Sequence, residues 1–397
     1  MNRTYARIGS RLGNAFFVLC TLMALGLLPA RANSQQYEVL FIRALDPGGS
    51  IVGYDLNEAG QVTGTSYIRR STRLGDIWVP HAFRYGNGTT VDLGTLGGAG
   101  CALCASGGVA INASGQIIGW SAVTGTNPPL NPPGFDCCNE IPADVEHAFL
   151  YSNGSMVDLS VDAASNGISR VRVRDINDAG WITGQALFPD IGASNSDHAL
   201  LYKPALGWMD LGTGGDCCLS GGTAINGSNQ VTGYSDTFDD AFLYSNGSMA
   251  NIGGQIEHAS VGLDINASGQ VTGWMEPGGR RHAFRYSAGA TLDLGSLGGD
   301  SQCGDLSGGL GINSSGQVVG YSRRSCSGDW RAFLWSAGAG RDGGTMIDLN
   351  RHIYPISLRL LIKLEEAVAI TDKGWILANG HLRLLPNLKR TYLLKPR

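Results

Sequence analysis

Ten residues, INASGQIIGW at 111–120, recur along the chain as LNEAGQVTGT from 56, INDAGWITGQ from 176, INGSNQVTGY from 225, INASGQVTGW from 265, INSSGQVVGY from 312 and a worn ITDKGWILAN from 370. In each copy Asn sits at the first position of a type I turn and Gly at the fourth, the residues that turn prefers. The Asn side chain bonds its own backbone two residues on, and Gly accepts a left-handed conformation at no steric cost. Asn229 replaces Gly in the fourth copy and Thr371 replaces Asn in the seventh, both tolerated weaker versions. Each copy therefore predicts a tight turn between two short apolar strands.

A second motif follows each first one: HAFRYGNGTTVDLG from 81, HAFLYSNGSMVDLS from 147, HALLYKPALGWMDLG from 198, DAFLYSNGSMANIG from 240, HAFRYSAGATLDLG from 282 and RAFLWSAGAG from 331, with MIDLN after it. Asn-Gly between apolar runs is a strong hairpin signal. Each repeat thus holds four strand candidates, and successive turn residues lie 40 to 65 residues apart. Four strands in roughly 40–50 residues is the signature of a propeller blade. Adjacent apolar pairs such as Ile117-Ile118 and Val318-Val319 bury both faces of a strand, as a blade between two blades requires, whereas a sheet with one wet face alternates. The expected fold is an all-β, seven-bladed propeller of four-stranded antiparallel blades; another β-repeat array, such as a β-helix, is the rival. The last blade lacks its final strand, and Tyr37–Ile42 is expected to supply it and close the circle, removing an open edge.

The combination of HAF-x-Y/W, DLGTLGG and IN-x-x-GQVVG resembles the HAF repeat of bacterial extracellular proteins, over most of residues 37–397. The resemblance implies export and a β-rich repeat fold, and it names no substrate. Export is also read from the N-terminus. Arg3, Arg7 and Arg11 precede an apolar run from Ala15 to Leu28 and then Ala30-Arg31-Ala32, the pattern of a secretory leader over 1–32. The expected mature chain is a single domain, 33–397, extracellular or periplasmic, with no run long enough to span a bilayer.

Composition fits many turns: Gly is 59 of 397 residues and charged residues are 16%, against averages of about 7% and about 25%. A net charge of −4 gives no pointer to nucleic acid. Eight cysteines remain in an exported chain and read as disulfides. Cys101 and Cys104 stand in the connection before the IN motif of unit two, and Cys137 and Cys138 in its connection before HAF. Unit six repeats this with Cys303 and Cys326. The two connections are therefore expected to meet on one face and to be stapled by disulfides, a Cys303–Cys326 bridge contributing about 3 kcal/mol. Cys217 and Cys218 lack partners in their own unit, leaving a vicinal bond, a bridge elsewhere or free thiols as alternatives.

His81, His147, His198 and His282 share one repeat position, as do Asp92, Asp158, Asp210, Asp293 and Asp348. A catalytic residue is singular, so both sets read as structural. Trp120, Tyr234, Trp274 and Tyr321 also share a position, read as packing between blades or as a ring that stacks on sugars. The connections before HAF are basic in blades one, five, six and seven, with Arg69, Arg70, Arg280, Arg281, Arg323 and Arg324 as binding-face candidates, and acidic in blades two, three and four. Such a split favours a charged partner or self-association. No catalytic motif, metal set or cofactor loop stands out. The expected function is non-catalytic binding or structure, toward surface polysaccharide or another envelope protein; the alternative is a hydrolase or lyase with a pocket at the propeller axis.

Overall fold

The repeated turn does more than reverse the chain. In the computed structural model, which describes residues 35–397 except 74, 99–100, 102, 124–145, 189–196, 216–218, 254–258, 299–304, 324–328 and 339–342, each turn closes as expected: Gly60 N–H donates to Asn57 O at 2.9 Å and Gly60 takes φ 79°. The Asn side chain is then used twice. Its Oδ1 accepts the N–H groups of its own turn, as Asn226 does from Ser228 and Gln230 at 3.0 Å. Its Nδ2 reaches out of the blade to the main-chain carbonyl of the next turn. Asn57 donates to Asn112 O, Asn112 to Asn177 O, Asn177 to Asn226 O, Asn226 to Asn266 O, Asn266 to Asn313 O and Asn313 to Thr371 O, at 2.9–3.3 Å. Only the seventh junction lacks the amide. There Glu58 of blade one accepts from Asp372 N–H at 2.6 Å, and its carbonyl takes the Lys373 ammonium at 2.8 Å.

The blades so joined make a seven-bladed β-propeller. Six four-stranded antiparallel sheets cover 51–94, 106–158, 169–212, 220–251, 260–293 and 306–348 in chain order. The seventh sheet contains Ile362–Ile370, Ile376–Leu382 and Leu385–Pro396, and the N-terminal strand Tyr37–Ile42 pairs antiparallel with the last of these, from Tyr37↔Pro396 to Ile42↔Thr391. One strand goes beyond the expectation: Ile353–Tyr354 adds a parallel fifth strand outside Tyr37–Ile42. All seven sheets lie within one compact unit, Tyr37–Arg397. No helix among the described residues is long and apolar enough to cross a membrane. The segment 1–32, read as a leader, lies outside the described residues.

Packing between blades explains the strand composition. Ile117 faces the cluster shared with Ala82 and Leu93 of blade one, whereas its neighbour Ile118 faces Val171, Val173 and Leu200 of blade three; both are fully buried. The HAF phenylalanines Phe83, Phe149, Phe242, Phe284 and Phe333 are also fully buried. They explain the glycine of QxxG by close approach rather than by dihedral angle. A Cβ on Gly119 would lie 2.0 Å from Gly107 O and 2.8 Å from the Phe149 ring.

The shared His and Asp positions pair with each other in four blades. His81, His147, His198 and His282 set Nδ1 2.6–3.0 Å from Asp92, Asp158, Asp210 and Asp293, across the last two strands of a blade. In blade four the pair becomes Asp240 and Asn251, the Asn Nδ2 donating at 3.0 Å. The same aspartates accept a backbone N–H two residues on, as Asp92 does from Gly94 at 2.8 Å. Ser106 Oγ then accepts from Ala82 N–H and donates to Gly94 O, tying blade two to blade one. In blade two the equivalent serine, Ser160, begins a short helix instead, Leu159–Ser165, capped by Asp158 and burying Leu159 and Ala163.

In units two and six the first connection runs against the strand that leads into the second. Leu96 N–H donates to Ser121 Oγ at 2.8 Å and Leu297 N–H to Ser322 Oγ at 3.0 Å. Cys101 is bonded to Cys104, not to Cys137 or Cys138. The turn that carries them, closed by Cys104 N–H to Cys101 O, sets their Cα atoms 5.3 Å apart, within bridging range. Cys137, Cys138, Cys217, Cys218, Cys303 and Cys326 lie outside the described residues.

Asn226→Ala removes the donor to Asn266 O and both acceptor bonds of its turn. It is expected to cost about 2–4 kcal/mol in denaturant unfolding, from about 0.5–1.5 kcal/mol per bond plus unpaired buried groups. Thr371→Asn supplies the missing amide at the seventh junction and is expected to stabilise by about 1 kcal/mol. Equal midpoints for all three proteins would refute the relay's role.

Candidate axial binding site

The innermost strand of every blade carries a bulge at the same place. The register slips between Gly53 and Asp55, Gly108 and Ala110, Val173 and Asp175, Gly222 and Ala224, Gly262 and Asp264, Gly309 and Gly311, and Ala367 and Ala369. A bulge leaves one residue unpaired and re-aims its side chain. Here those residues are Tyr54, Val109, Arg174, Thr223, Leu263, Leu310 and Val368, and all seven line a cavity of about 230 Å³ on the propeller axis. The fold supplies the ring, and the identity of one residue per blade sets its chemistry. Sequence reading missed these seven because they vary freely within the repeat.

The residue after the bulge alternates between blades. It is Asp in blades one, three and five, and Ala or Gly in the others. Asp55 accepts from its own Leu56 N–H and from Ile111 N–H of blade two, both at 2.7 Å. Asp175 does the same with Ile176 and with Ile225 of blade four, at 2.7 and 2.8 Å. Asp264 repeats it with Ile265 and with Ile312 of blade six, at 2.8 and 2.7 Å. The three carboxyls thus staple blades in pairs, with their accessible surface turned to the cavity. Burial raises their pKa. Asp175 is pushed up to about 8, with the facing Asp55 and Asp264 adding to the effect, and Asp264 to about 7; Asp55 is also raised. The backbone N–H bonds oppose the rise without cancelling it. Asp before Ile-Asn or Leu-Asn at 55, 175 and 264 was the available sequence signal.

At the end nearer the connections the cavity is walled by Trp120, Tyr234 and Trp274. The packing and ligand-facing readings of this position therefore meet in the same residues. Tyr234 Oη donates to Gln185 Oε1 of the preceding blade at 2.9 Å, and the Arg281 guanidinium lies 3.9 Å over the Trp274 ring. Tyr321, the fourth of the set, stacks edge-on with Trp330 at 5.4 Å and lies outside the cavity wall.

Five of the six arginines read as binding-face candidates are described. Arg281 turns to the cavity, with Glu276 at 3.4 Å. Arg69 lies 3.6 Å from Asp76 on the exposed hairpin of blade one, and Arg70 follows it in the same strand. Arg323 stands 6.0 Å over Trp330. Arg280 precedes the blade-five HAF strand, and Arg324 lies outside the described residues. Much of the neighbouring charge is locally matched: Asp329 takes both Arg331 and Lys363, and Glu365 takes Lys389. Among the described residues no group of three or more His, Cys, Asp or Glu is arranged to hold a metal ion.

No protein-family model matches the chain, and no curated protein is similar to it. Among solved structures it is similar to a streptogramin B lyase, at 10% identity and a TM-score of 0.43 over 91% of this chain and 98% of that one. It is similar to TolB from Acinetobacter baumannii at 12% identity and 0.34, over 100% and 74%. It is similar to an acylaminoacyl peptidase from Pyrococcus horikoshii at 10% and 0.37, over 83% and 57%.

The raised carboxyls give stability a definite pH dependence. Their folded pKa values lie above the unfolded value of about 3.9. They therefore favour the fold most below about pH 4, and that contribution is lost as pH rises through about 7 to 8. The melting temperature is expected to fall between pH 5 and pH 8, and Asp175→Asn to flatten the decline. A decline equally steep in the variant would show that Asp175 does not carry it.

Proposed function

We propose that this chain is an exported, non-catalytic binding protein of the HAF-repeat type, and that the axial cavity receives one sugar residue of a surface polysaccharide. The observation that carries this reading is the cavity wall: Trp120, Tyr234 and Trp274 from three blades at one end, above a ring of one bulge residue per blade. Aromatic faces bind the apolar side of a ring while nearby polar groups fix its orientation. At about 230 Å³ the cavity is smaller than the roughly 300–1,000 Å³ typical of drug-sized ligands. That suits a single ring or the end of a chain.

The alternative, a glycan-cleaving hydrolase or lyase at the axis, is favoured by one observation. Asp175 and Asp264 face this cavity with pKa values raised toward neutrality, and such groups mark active sites. Against it, each already accepts two backbone N–H bonds and recurs in three blades by the rule of the repeat.

A glycan array probed with residues 33–397, followed by calorimetry on the best sugar, tests both. Binding is expected, with Trp120→Ala and Trp274→Ala each weakening it about tenfold, the loss of one good ring contact at about 1.4 kcal/mol. Recovery of intact sugar supports binding, and recovery of shortened sugar supports cleavage. Affinity unchanged in both tryptophan variants would reject the cavity as the site.

A further inference from the structure

Blade seven departs from the repeat where its strands reach the connection face. Its middle hairpin, between Ile376–Leu382 and Leu385–Pro396, ends in Leu384 and Leu385, 85% and 50% exposed. Beside it the 3₁₀ turn Ile356–Leu360 and the next residue present Ile356, Leu360 and Leu361, at 64%, 77% and 49%. The two tips are tied together, Arg383 N–H donating to Leu361 O at 2.8 Å and Arg383 Nε to Arg359 O at 3.3 Å. Five large aliphatic side chains therefore stand together in water. Single exposed apolar residues need no explanation, but a contiguous group marks an interaction surface. Leu206, the other strongly exposed leucine, sits alone at a hairpin turn on the opposite face.

Two features identify what would cover this group. Leu384 and Leu360 project almost fully from turn tips, so they suit a soft phase that they penetrate better than a flat protein surface. Among the polar residues around them the arginines outnumber the acids, Asp76 facing Arg69 and Glu365 taking Lys389. Arg383 lies within the group and Arg359 beneath it. On the adjoining blade-one hairpin are Arg70, Arg73 and the exposed Trp78, whose ring lies against Gly48 and Gly49. Arg390 of blade seven donates to Gly49 O at 2.8 Å, which joins the two blades along this edge. Apolar tips ringed by arginine, with a tryptophan at the margin, match the layering of a bilayer surface, where acyl chains lie beneath anionic headgroups.

We infer that the blade-seven tips, Ile356, Leu360, Leu361, Leu384 and Leu385, dock the propeller onto an anionic lipid surface, with Arg383 pairing with headgroup phosphate. This docking is independent of what the axial cavity binds. It holds the protein by side-chain insertion, without a spanning segment.

The test is co-sedimentation of residues 33–397, which contain every sheet of the fold, with phosphatidylcholine vesicles with and without a minority of phosphatidylglycerol. Binding is expected to be strong only with phosphatidylglycerol, to weaken with salt, and to drop at least about tenfold in Leu384→Ser/Leu385→Ser. Arg383→Glu should weaken binding to the anionic vesicles while the protein stays folded, because the backbone bond from Arg383 N–H to Leu361 O remains. All three positions are exposed, so a cooperative thermal melt would show that each variant folds. Failure to bind anionic vesicles, or binding unchanged in the leucine variant, would overturn the inference. So would a dimer in light scattering that the leucine variant dissolves, because a second copy would then be the occupant.

Discussion

One asparagine side chain in each of six blades holds this ring together. Its oxygen fixes the turn that begins the blade, and its nitrogen fixes the next blade against it, so local and long-range structure share one group. Propeller blades touch mainly through apolar faces, and apolar contact specifies no register. The amide-to-carbonyl bonds from Asn57 round to Thr371 supply that register. Everything nearer the axis, including the bulges that line the cavity, is positioned relative to those turns.

The cavity shows how a repeat makes a singular site. The bulge is common to all seven blades and costs the sequence nothing in identity, because the unpaired residue touches no equivalent partner. Five residue types at one structural position in seven blades then give a wall with a tyrosine, an arginine and a threonine among four aliphatic residues. The stapling carboxyls are held to alternate blades by their geometry. An aspartate in every blade would direct each carboxyl at an N–H that its neighbour already uses, and would crowd more negative charge onto a small axis.

Most of the architecture was legible in the sequence because it is periodic. The turn, the HAF phenylalanine, the close-packed glycine and the His–Asp clamp all recur, and recurrence separates structural need from accident. The N-terminal strand was legible as a complement to a blade missing one. What escaped was either non-periodic or periodic at twice the interval. The bulge residues vary. Asp55, Asp175 and Asp264 appear in every second copy, and so fall outside a motif read blade by blade. The bond between Cys101 and Cys104 was missed because matching positions in unit six suggested a bridge between connections, whereas the local turn brings the two sulfurs together first. The charged arcs were read from loop composition, and composition does not show that Asp329 and Glu365 already engage the cations beside them.

A two-blade period on a seven-membered ring has a consequence of its own. Alternation around an odd circle is geometrically frustrated: somewhere two like neighbours must meet, and the mismatch can be moved but not removed. This chain places it at the blade that joins its two ends. There Ala369 replaces the aspartate, Thr371 replaces the asparagine, and a half-buried glutamate, Glu366, bonds Asn379, which bonds Gly53 of blade one in turn. Six blades are bound to one another by a shared grammar, and the seventh is released from it. A defect that the topology makes compulsory thus becomes the one place where the ring can diverge without disturbing its other junctions. It is also where an added strand and the unshielded leucines are found.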